Sequence, residues 1–209
     1  MDADAVEIRV LGCLIEKQRT TPDAYPLSLN ALRLACNQST NRDPVVDYDE
    51  PQIRDALERL SRKRWVRLAS GAGSRAIKYR HLFDEALSLS DAEIGVLAVL
   101  MLRGAQTPGE LKGRTERLHP FGSLAEVEET LDGLIGRELV ARLDRRPGQK
   151  EVRFAQLLGG EAPAQVAVAE WGPPPQVSRE DRVEALEARV DRLEDEVASL
   201  RRAIDALGA

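Results

Sequence analysis

The chain has 209 residues, a length that corresponds to one or two domains, and its 43% apolar content is enough for a buried core. With 35 acidic against 30 basic side chains, the net charge is −5. This balance argues against a polycation that coats nucleic acid through bulk charge, although it leaves a local basic patch open. Only two cysteines, Cys13 and Cys36, are present, which excludes a disulfide-dense secreted scaffold.

The N-terminal residues and the longest apolar run indicate whether the protein is secreted or inserted in a membrane. Asp2, Asp4 and Glu7 occupy the place where a signal peptide has its basic region. The longest apolar run, residues 94–102, would span only about 13 Å as a helix, which is too short to cross a bilayer. These features predict a soluble, cytoplasmic protein with no membrane partner.

An internal repeat organises the first three quarters of the chain. Glu7-Ile8-x-Val10-Leu11 returns as Glu93-Ile94-x-Val96-Leu97, and Thr21-Pro22 returns as Thr107-Pro108. Tyr79-x-x-Leu82 returns as Phe154-x-x-Leu157 at a shorter offset. The sequence therefore contains two copies of one unit, with extra residues in the first copy between about 39 and 49.

Each copy predicts three helices followed by a β-hairpin. The second helices are expected near residues 27–36 and 107–118, and the third helix of the first copy near Asp49. Thr107 with Glu110, and Ser123 with Glu126, have the spacing of capping boxes. Alternating residues predict that Val66 and Leu68 pair with Ile77 and Tyr79 around the turn at 71–74, and that 139–144 pairs with Val152 and Phe154 around 146–149.

Three helices followed by a hairpin is the order of a winged helix, a variant of the helix-turn-helix. We therefore predict a mainly α fold with small β-hairpins, in which two tandem winged-helix domains occupy residues 1–83 and 84–158. A Pro/Gly-rich linker is expected over 159–178, and a C-terminal coiled-coil helix over 179–208.

The C-terminal helix carries a heptad pattern with Val or Ile at the a positions and Leu at the d positions, which favours a parallel homodimer. Flanking charges of opposite sign would face each other in a parallel pair. An antiparallel pair, or a single helix folded back on the domains, remains an alternative. The predicted dimerisation residues are Val183, Leu186, Val190, Leu193, Val197, Leu200, Ile204 and Leu207.

Several longer motifs resemble the YceH-like family of uncharacterised bacterial proteins. They are Leu11-Gly12-x-Leu14-x-Glu16-Lys17-Gln18-x-Thr20-Thr21-Pro22, Ala35-Cys36-Asn37-Gln38-x-x-Asn41-Arg42-Asp43-Pro44, Thr107-Pro108-Gly109-Glu110-Leu111 and Pro147-Gly148-Gln149-Lys150-Glu151. The resemblance covers about residues 5–158 and implies tandem winged helices. It implies no catalytic residue and no cofactor, since the family has no established activity.

The first copy contains the candidate contacts to double-stranded DNA. Residues 49–81 hold nine basic and four acidic side chains, and winged helices commonly place the third helix in the major groove. Alternatively, the side chains on the outward face of that helix form ion pairs with one another, Asp55 with Arg59 and Glu58 with Arg62, and do not contact DNA. Loop 37–44 either reads bases and phosphates or caps a helix end and a turn. The candidate contacts are Asn41, Arg42, Arg59, Arg62, Lys63, Arg67, Arg75 and Lys78.

The third helix of the second copy is acidic and would repel a phosphate backbone. Two glycines on its outer face permit close approach of another element. We therefore predict a protein-contacting or inter-domain surface at Glu129, Asp132, Gly133 and Gly136.

The sequence predicts no enzyme, metal site or cofactor. His81 and His119 do not form metal-ligand spacings with the cysteines, which we expect to be buried. No residues assemble a nucleophile, a base and an oxyanion donor, and no pocket signature supports ligand sensing. Two hypotheses remain. The first is a dimeric DNA-binding or transcription-associated protein. The alternative is a protein-interaction adaptor without DNA contact, similar in layout to the acidic winged-helix subunits of bacterial chromosome-organising complexes.

Overall fold

The structure is a computed structural model that describes residues 2–69, 77–144 and 151–160. These residues have mixed α and β structure, with seven α-helices and two small antiparallel sheets. The helices are α1 (Ala5–Thr20), α2 (Leu29–Cys36), α3 (Glu50–Arg62), α4 (Phe83–Leu87), α5 (Asp91–Arg103), α6 (Pro108–Thr115) and α7 (Leu124–Gly136). The strands are β1 (Leu27–Ser28), β2 (Val66–Leu68), β3 (Lys78–His81), β4 (Val140–Leu143) and β5 (Arg153–Gln156).

Side-chain caps begin the longer helices. Capping boxes start α1, α3 and α5, and the box predicted at Thr107 and Glu110 starts α6. At α7 the predicted box is only half formed. Ser123 accepts from the amide of Glu126, but the Glu126 carboxylate accepts from the Gly122 amide at 3.0 Å. These caps satisfy amide groups that have no partner inside the helix.

The same order of elements occurs twice among the described residues. Helices α1 to α3 precede the hairpin β2–β3, and helices α5 to α7 precede the hairpin β4–β5. Both predicted strand pairs are present, with Leu68 opposite Tyr79 and Arg142 opposite Phe154, but Val66 lies opposite His81 and Ile77 precedes β3. The predicted extra residues lie in the connection 37–49 between α2 and α3, whose counterpart is 116–123. Three elements were not predicted: a 3₁₀ helix at Pro22–Ala24, strand β1, which adds a third strand beside β3, and the short helix α4.

A contiguous apolar core extends through both repeats because α1 packs against α5. Every residue from Ile94 to Leu102 in α5 is buried. A Cβ added at Gly12 in α1 would lie 3.0 Å from Cγ of Leu102 and 3.0 Å from Cβ of Met101, so the glycine permits this close approach. The described residues belong to one compact unit, and the predicted boundary between 83 and 84 lies inside it, at the start of α4.

Two further predictions concern location and the C-terminal part. No described helix is long and apolar enough to cross a membrane. The predicted coiled-coil helix 179–208, with its eight dimerisation residues, lies outside the described residues, as do Arg75 and the linker beyond Gly160.

Candidate functional site

One face of the first sheet carries three cationic side chains. Arg67 in β2 lies opposite Arg80 in β3, and Lys78 lies on the same face as Arg80 because side chains alternate along a strand. Val66 and His81 point to the opposite face and are buried in the core. We call Arg67, Lys78 and Arg80 the basic sheet face.

The charges of the basic sheet face are only partly balanced. Arg80 forms an ion pair with Glu85, with 3.1 Å between Nη2 and Oε1. Arg67 is exposed, Lys78 is half-buried, and neither forms an ion pair with another described residue. Like charges directly opposite each other destabilise a sheet. An external anion placed over Arg67 and Lys78 would therefore reduce repulsion within the protein itself.

Two of the predicted cations on and after α3 are bound to the start of α1. The Nη2 of Arg59 lies 2.6 Å from the Asp4 carboxylate, and the Nζ of Lys63 lies 2.8 Å from the Glu7 carboxylate. Glu7 is 2% exposed, so its charge is shielded from water and balanced mainly by these cations. Arg59 and Lys63 thus hold α3 against α1, and their charge is already compensated.

The exposed face of α3 is partly self-paired, which is one of the two alternatives that the sequence left open for this helix. Arg62 lies 3.6 Å from the Glu58 carboxylate, and both side chains are exposed. The other expected pair is absent from the ion pairs of the described residues, because Arg59 binds Asp4 rather than Asp55. An exposed pair of this kind is weak, so Arg62 keeps access to an external anion.

The structure contradicts the prediction that Arg42 contacts nucleic acid. Its side chain is fully buried and donates two hydrogen bonds to the Glu16 carboxylate, at 3.1 and 2.6 Å. It also donates to the carbonyl oxygen of Ala35 and to the side-chain oxygen of Gln38. Burial alone raises the pKa of Glu16, but the hydrogen bonds from Arg42 hold that pKa below its usual value. Arg42 is a structural residue because it is desolvated and neutralised inside the protein.

The rest of loop 37–44 is also tied to the fold. The Asn37 side chain accepts from the Tyr48 amide at 2.9 Å and donates to the Tyr48 carbonyl at 2.8 Å. Arg9 of α1 donates to the carbonyl oxygen of Pro44 at 2.6 Å. Asn41 is exposed with a φ of 60°, and its side-chain oxygen accepts a hydrogen bond from Arg103. Of the two predicted contacts in this loop, only Asn41 reaches solvent.

The outer face of α7 is exposed and acidic. Glu129, Asp132, Gly133 and Gly136 are all exposed, and a Cβ on either glycine would meet no atom within 4 Å. No other element among the described residues covers this face, so it is not an inter-domain surface within that part of the chain. The predicted contact with a partner protein stays a prediction.

The cysteines and histidines take structural positions. Cys13 and Cys36 are buried, as predicted, and are free thiols. His81 is buried beside Gln18 and Asp84, and burial lowers the pKa of His81 to about 4. His119 packs edge-on against Phe121. Within the described ranges, no group of three or more His, Cys, Asp or Glu side chains is placed to hold a metal ion.

Comparison with known proteins identifies relatives along nearly the whole chain. A family model described as "Protein of unknown function, DUF480" matches residues 3–149. A UPF0502 protein of Enterobacter sp. (strain 638) is 47% identical over 97% of this chain and 94% of its own length. A UPF0502 protein of Geotalea daltonii is 52% identical over 91% of this chain and 86% of its own length. The expected membership in an uncharacterised bacterial family is confirmed, and these names state no activity.

Proposed function

The chain belongs to the DUF480 family of uncharacterised bacterial proteins, and we propose that it is a non-enzymatic protein that binds double-stranded DNA through its first repeat. The basic sheet face carries this proposal. Arg67 and Lys78 have no anionic partner among the described residues, and Arg67 stands opposite Arg80 in the strand ladder. Phosphate groups supply the negative charge that this arrangement lacks.

We also take each repeat as a winged helix, since each has three helices followed by a hairpin. In this arrangement β2–β3 is the wing of the first repeat and α3 is the helix beside the groove. The exposed side chains of α3 have mixed charge, with Arg54 and Arg62 next to Asp55 and Glu58. We therefore expect contacts to phosphates to dominate affinity, and sequence preference to be weak.

A homodimer would strengthen this binding. The heptad pattern at residues 183–207 favours a parallel two-stranded coiled coil. Two basic sheet faces on one DNA molecule would act at a high effective concentration. Replacing Leu193 and Leu200 with Asp should convert the full chain from dimer to monomer in sedimentation-equilibrium measurements.

The DNA proposal is tested by fluorescence anisotropy of a labelled mixed-sequence duplex, at low and at physiological salt. The R67Q/K78Q variant should bind more weakly at low salt. The plot of log affinity against log salt concentration should also become less steep, by about two in slope, since roughly one counterion contribution is lost per phosphate contact.

The matched control removes two charges elsewhere. Arg114 and Arg117 are exposed and lie at the end of α6 and in the turn after it. The R114Q/R117Q variant has the same net charge as R67Q/K78Q and should bind DNA like the unaltered chain. Equal losses in both variants would contradict the assignment to the basic sheet face. No binding by the unaltered chain at low salt would overturn the proposal.

The acidic face of α7 favours a second candidate function, a protein-interaction adaptor. Glu128, Glu129 and Asp132 are exposed and form no ion pair with another described residue. A basic partner protein would complement them. A photo-crosslinking residue at position 132 should capture one discrete partner in cells, and the same residue at position 113 of α6 should not. A capture pattern that is the same at both positions would contradict a specific interface.

A further inference from the structure

A cavity of about 210 Å³ lies between the two repeats, at a place that the proposed DNA contact does not use. The first repeat contributes residues of α1 and loop 37–49, and the second contributes residues of α5, α6 and the turn after α6. The polar side chains that matter for its chemistry are Glu16, Asn41, Arg103, Arg114, Glu116 and Arg117. The sequence alone indicated no pocket, because these residues lie far apart along the chain.

The side chains that line the cavity carry more positive than negative charge. Glu16 is already engaged by the buried Arg42 at 2.6 Å and by Lys17 at 3.4 Å. Its charge is therefore already compensated by these two cations, although it still favours the charged form of Arg103. Glu116 is the other lining carboxylate, and one carboxylate offsets only one of three guanidinium groups.

The arginines themselves are weakly paired. Arg114 lies 3.5 Å from the carboxylate of Glu110, which is shared with Arg153 at 3.0 Å. Arg117 is exposed and forms no ion pair with another described residue. Arg103 donates to the side-chain oxygen of Asn41, which is a neutral acceptor. All three guanidinium groups therefore have donor capacity left for a ligand.

Positive neighbours add to the effect of burial on the pKa of Arg103, and Glu16 opposes them. Burial, followed by repulsion from Arg114 and Arg42, lowers the pKa of Arg103 below its usual value. Arginine stays protonated at neutral pH even so. Repulsion among cations that cannot lose their protons is relieved by binding an anion.

The size and lining of the cavity limit the kind of anion. Val99, Leu102 and Leu118 form an apolar part of the wall. The volume of about 210 Å³ lies below the range typical of drug-sized ligands. The planar fork of a guanidinium group matches pairs of phosphate oxygens, and several forks suit a dianion.

We propose that this cavity binds a small phosphate monoester, whose phosphate group is held by Arg103, Arg114 and Arg117 and whose organic part lies against the apolar wall. Glu16, Thr20 and Asn41 of the first repeat line the same cavity as the three arginines of the second repeat, so the bound molecule lies between the two repeats. Binding therefore raises the thermal stability of the described unit.

Isothermal titration calorimetry of the full chain tests the proposal, with inorganic phosphate and glycerol 3-phosphate as probes and with chloride keeping the ionic strength constant. We expect saturable binding of one molecule per chain, tighter for glycerol 3-phosphate. Arg117→Gln should weaken binding at least about tenfold, because a charge-assisted contact is lost. Arg117 is exposed, so the variant should keep the unfolding temperature of the unaltered, ligand-free chain.

The R67Q/K78Q variant is the matched control, and it should bind both probes like the unaltered chain. No saturable binding of either probe would overturn the proposal, as would equal weakening in R67Q/K78Q and R114Q/R117Q. Loss of DNA affinity in R114Q/R117Q, without binding of either probe, would assign these arginines to a DNA backbone instead. Failure of the unaltered chain to bind DNA contradicts only the proposed function, since the phosphate titration contains no DNA.

Discussion

Arg42 joins three parts of the first repeat through one buried guanidinium group. It binds the Glu16 carboxylate of α1, the Ala35 carbonyl of α2 and the Gln38 side chain of the following loop. Replacing Arg42 with Met would leave the part-buried carboxylate of Glu16 without its main partner. We expect this substitution to lower the free energy of unfolding by about 3 kcal/mol, measured by urea denaturation.

Two comparison variants test whether the loss of stability comes from the buried ion pair. Arg62→Met removes an arginine whose ion pair with Glu58 is exposed, and it should change stability by less than about 1 kcal/mol. Adding Glu16→Gln to Arg42→Met should recover part of the loss, because the unpaired carboxylate disappears. If Arg42→Met were as mild as Arg62→Met, the buried ion pair would not stabilise the fold.

His81 makes the stability of the first repeat depend on pH. Its pKa falls from the usual 6.5 to about 4, mainly through burial, although Asp84 opposes the shift. Between these values the unfolded chain takes up a proton that the folded chain does not. Stability should therefore fall as the pH decreases from about 6.5 to about 4, by up to about 3 kcal/mol, with no further loss from this group at lower pH.

The contribution of His81 is separated from that of the carboxylates by a variant. His81→Gln can keep a hydrogen bond to Gln18 but does not titrate. Urea midpoints of the variant should vary less with pH between 4 and 6.5 than those of the unaltered chain, whereas acidic groups contribute equally to both. Parallel pH curves for the two proteins would mean that His81 takes up its proton as easily when folded.

At the scale of elements, the contact between α1 and α5 determines how the repeats meet. Gly12 allows this contact, since a Cβ there would lie 3.0 Å from side-chain atoms of both Met101 and Leu102. Gly12→Ala should reduce the free energy of unfolding by about 1–3 kcal/mol through overpacking, even though alanine favours a helix. Thermal or urea denaturation measures the change.

A glycine in α7 provides the control for this substitution. A Cβ on Gly133 meets no atom within 4 Å, so Gly133→Ala adds only the helix preference of alanine. It should raise stability by about 0.5–1 kcal/mol. The argument for close packing at Gly12 fails if both substitutions stabilise the protein equally.

Elements marked by local signals were predictable from the sequence. Asp49 accepts from the amide of Gln52 and begins α3 where the sequence placed it, and Thr107 with Glu110 begins α6. Alternating side chains predicted that the segment with Val66 and Leu68 pairs with the segment that contains Tyr79, although not the exact register. Each of these signals acts over a few residues, because capping and strand alternation depend on neighbouring positions.

What the sequence did not reveal depends on distant contacts. Arg59 binds Asp4 instead of its helical neighbour, because α3 packs against the start of α1. Arg42 was predicted to be a loop cation that contacts nucleic acid, yet it is buried and donates hydrogen bonds to Glu16 and to the carbonyl of Ala35. The cavity lined by Arg103 and Arg114 joins residues of both repeats. None of these contacts leaves a spacing pattern that a single sequence displays.

At the scale of the whole described unit, the two repeats share one core. Leu11 of α1 and Leu97 of α5 are both fully buried in the same apolar cluster. Opening either repeat would expose the side of the other that is packed against it. The cost of exposing this apolar surface couples the unfolding of the two repeats.

A substitution in the second repeat should therefore be detected by a probe in the first. Leu131 of α7 is fully buried, and Leu131→Ala should cost about 2–5 kcal/mol through the lost contacts and the cavity created. Trp65, which packs edge-on against Phe83 in the first part of the core, reports on the first repeat when Trp171 is replaced by Phe. We expect Leu131→Ala to lower the urea midpoint of Trp65 fluorescence as much as that of circular dichroism.

Leu124→Ala in the same helix is the control. Leu124 is 49% exposed in the folded protein and makes few buried contacts, so this variant should leave both midpoints nearly unchanged. Coincident shifts for Leu131→Ala mean that no repeat opens alone at equilibrium, so a ligand bound between the repeats stabilises both together. A Trp65 midpoint that stays fixed while circular dichroism shows a second, earlier transition would contradict the shared core. The repeats would then behave as independent domains, and binding at the cavity would raise only the midpoint of the repeat that holds the ligand more tightly.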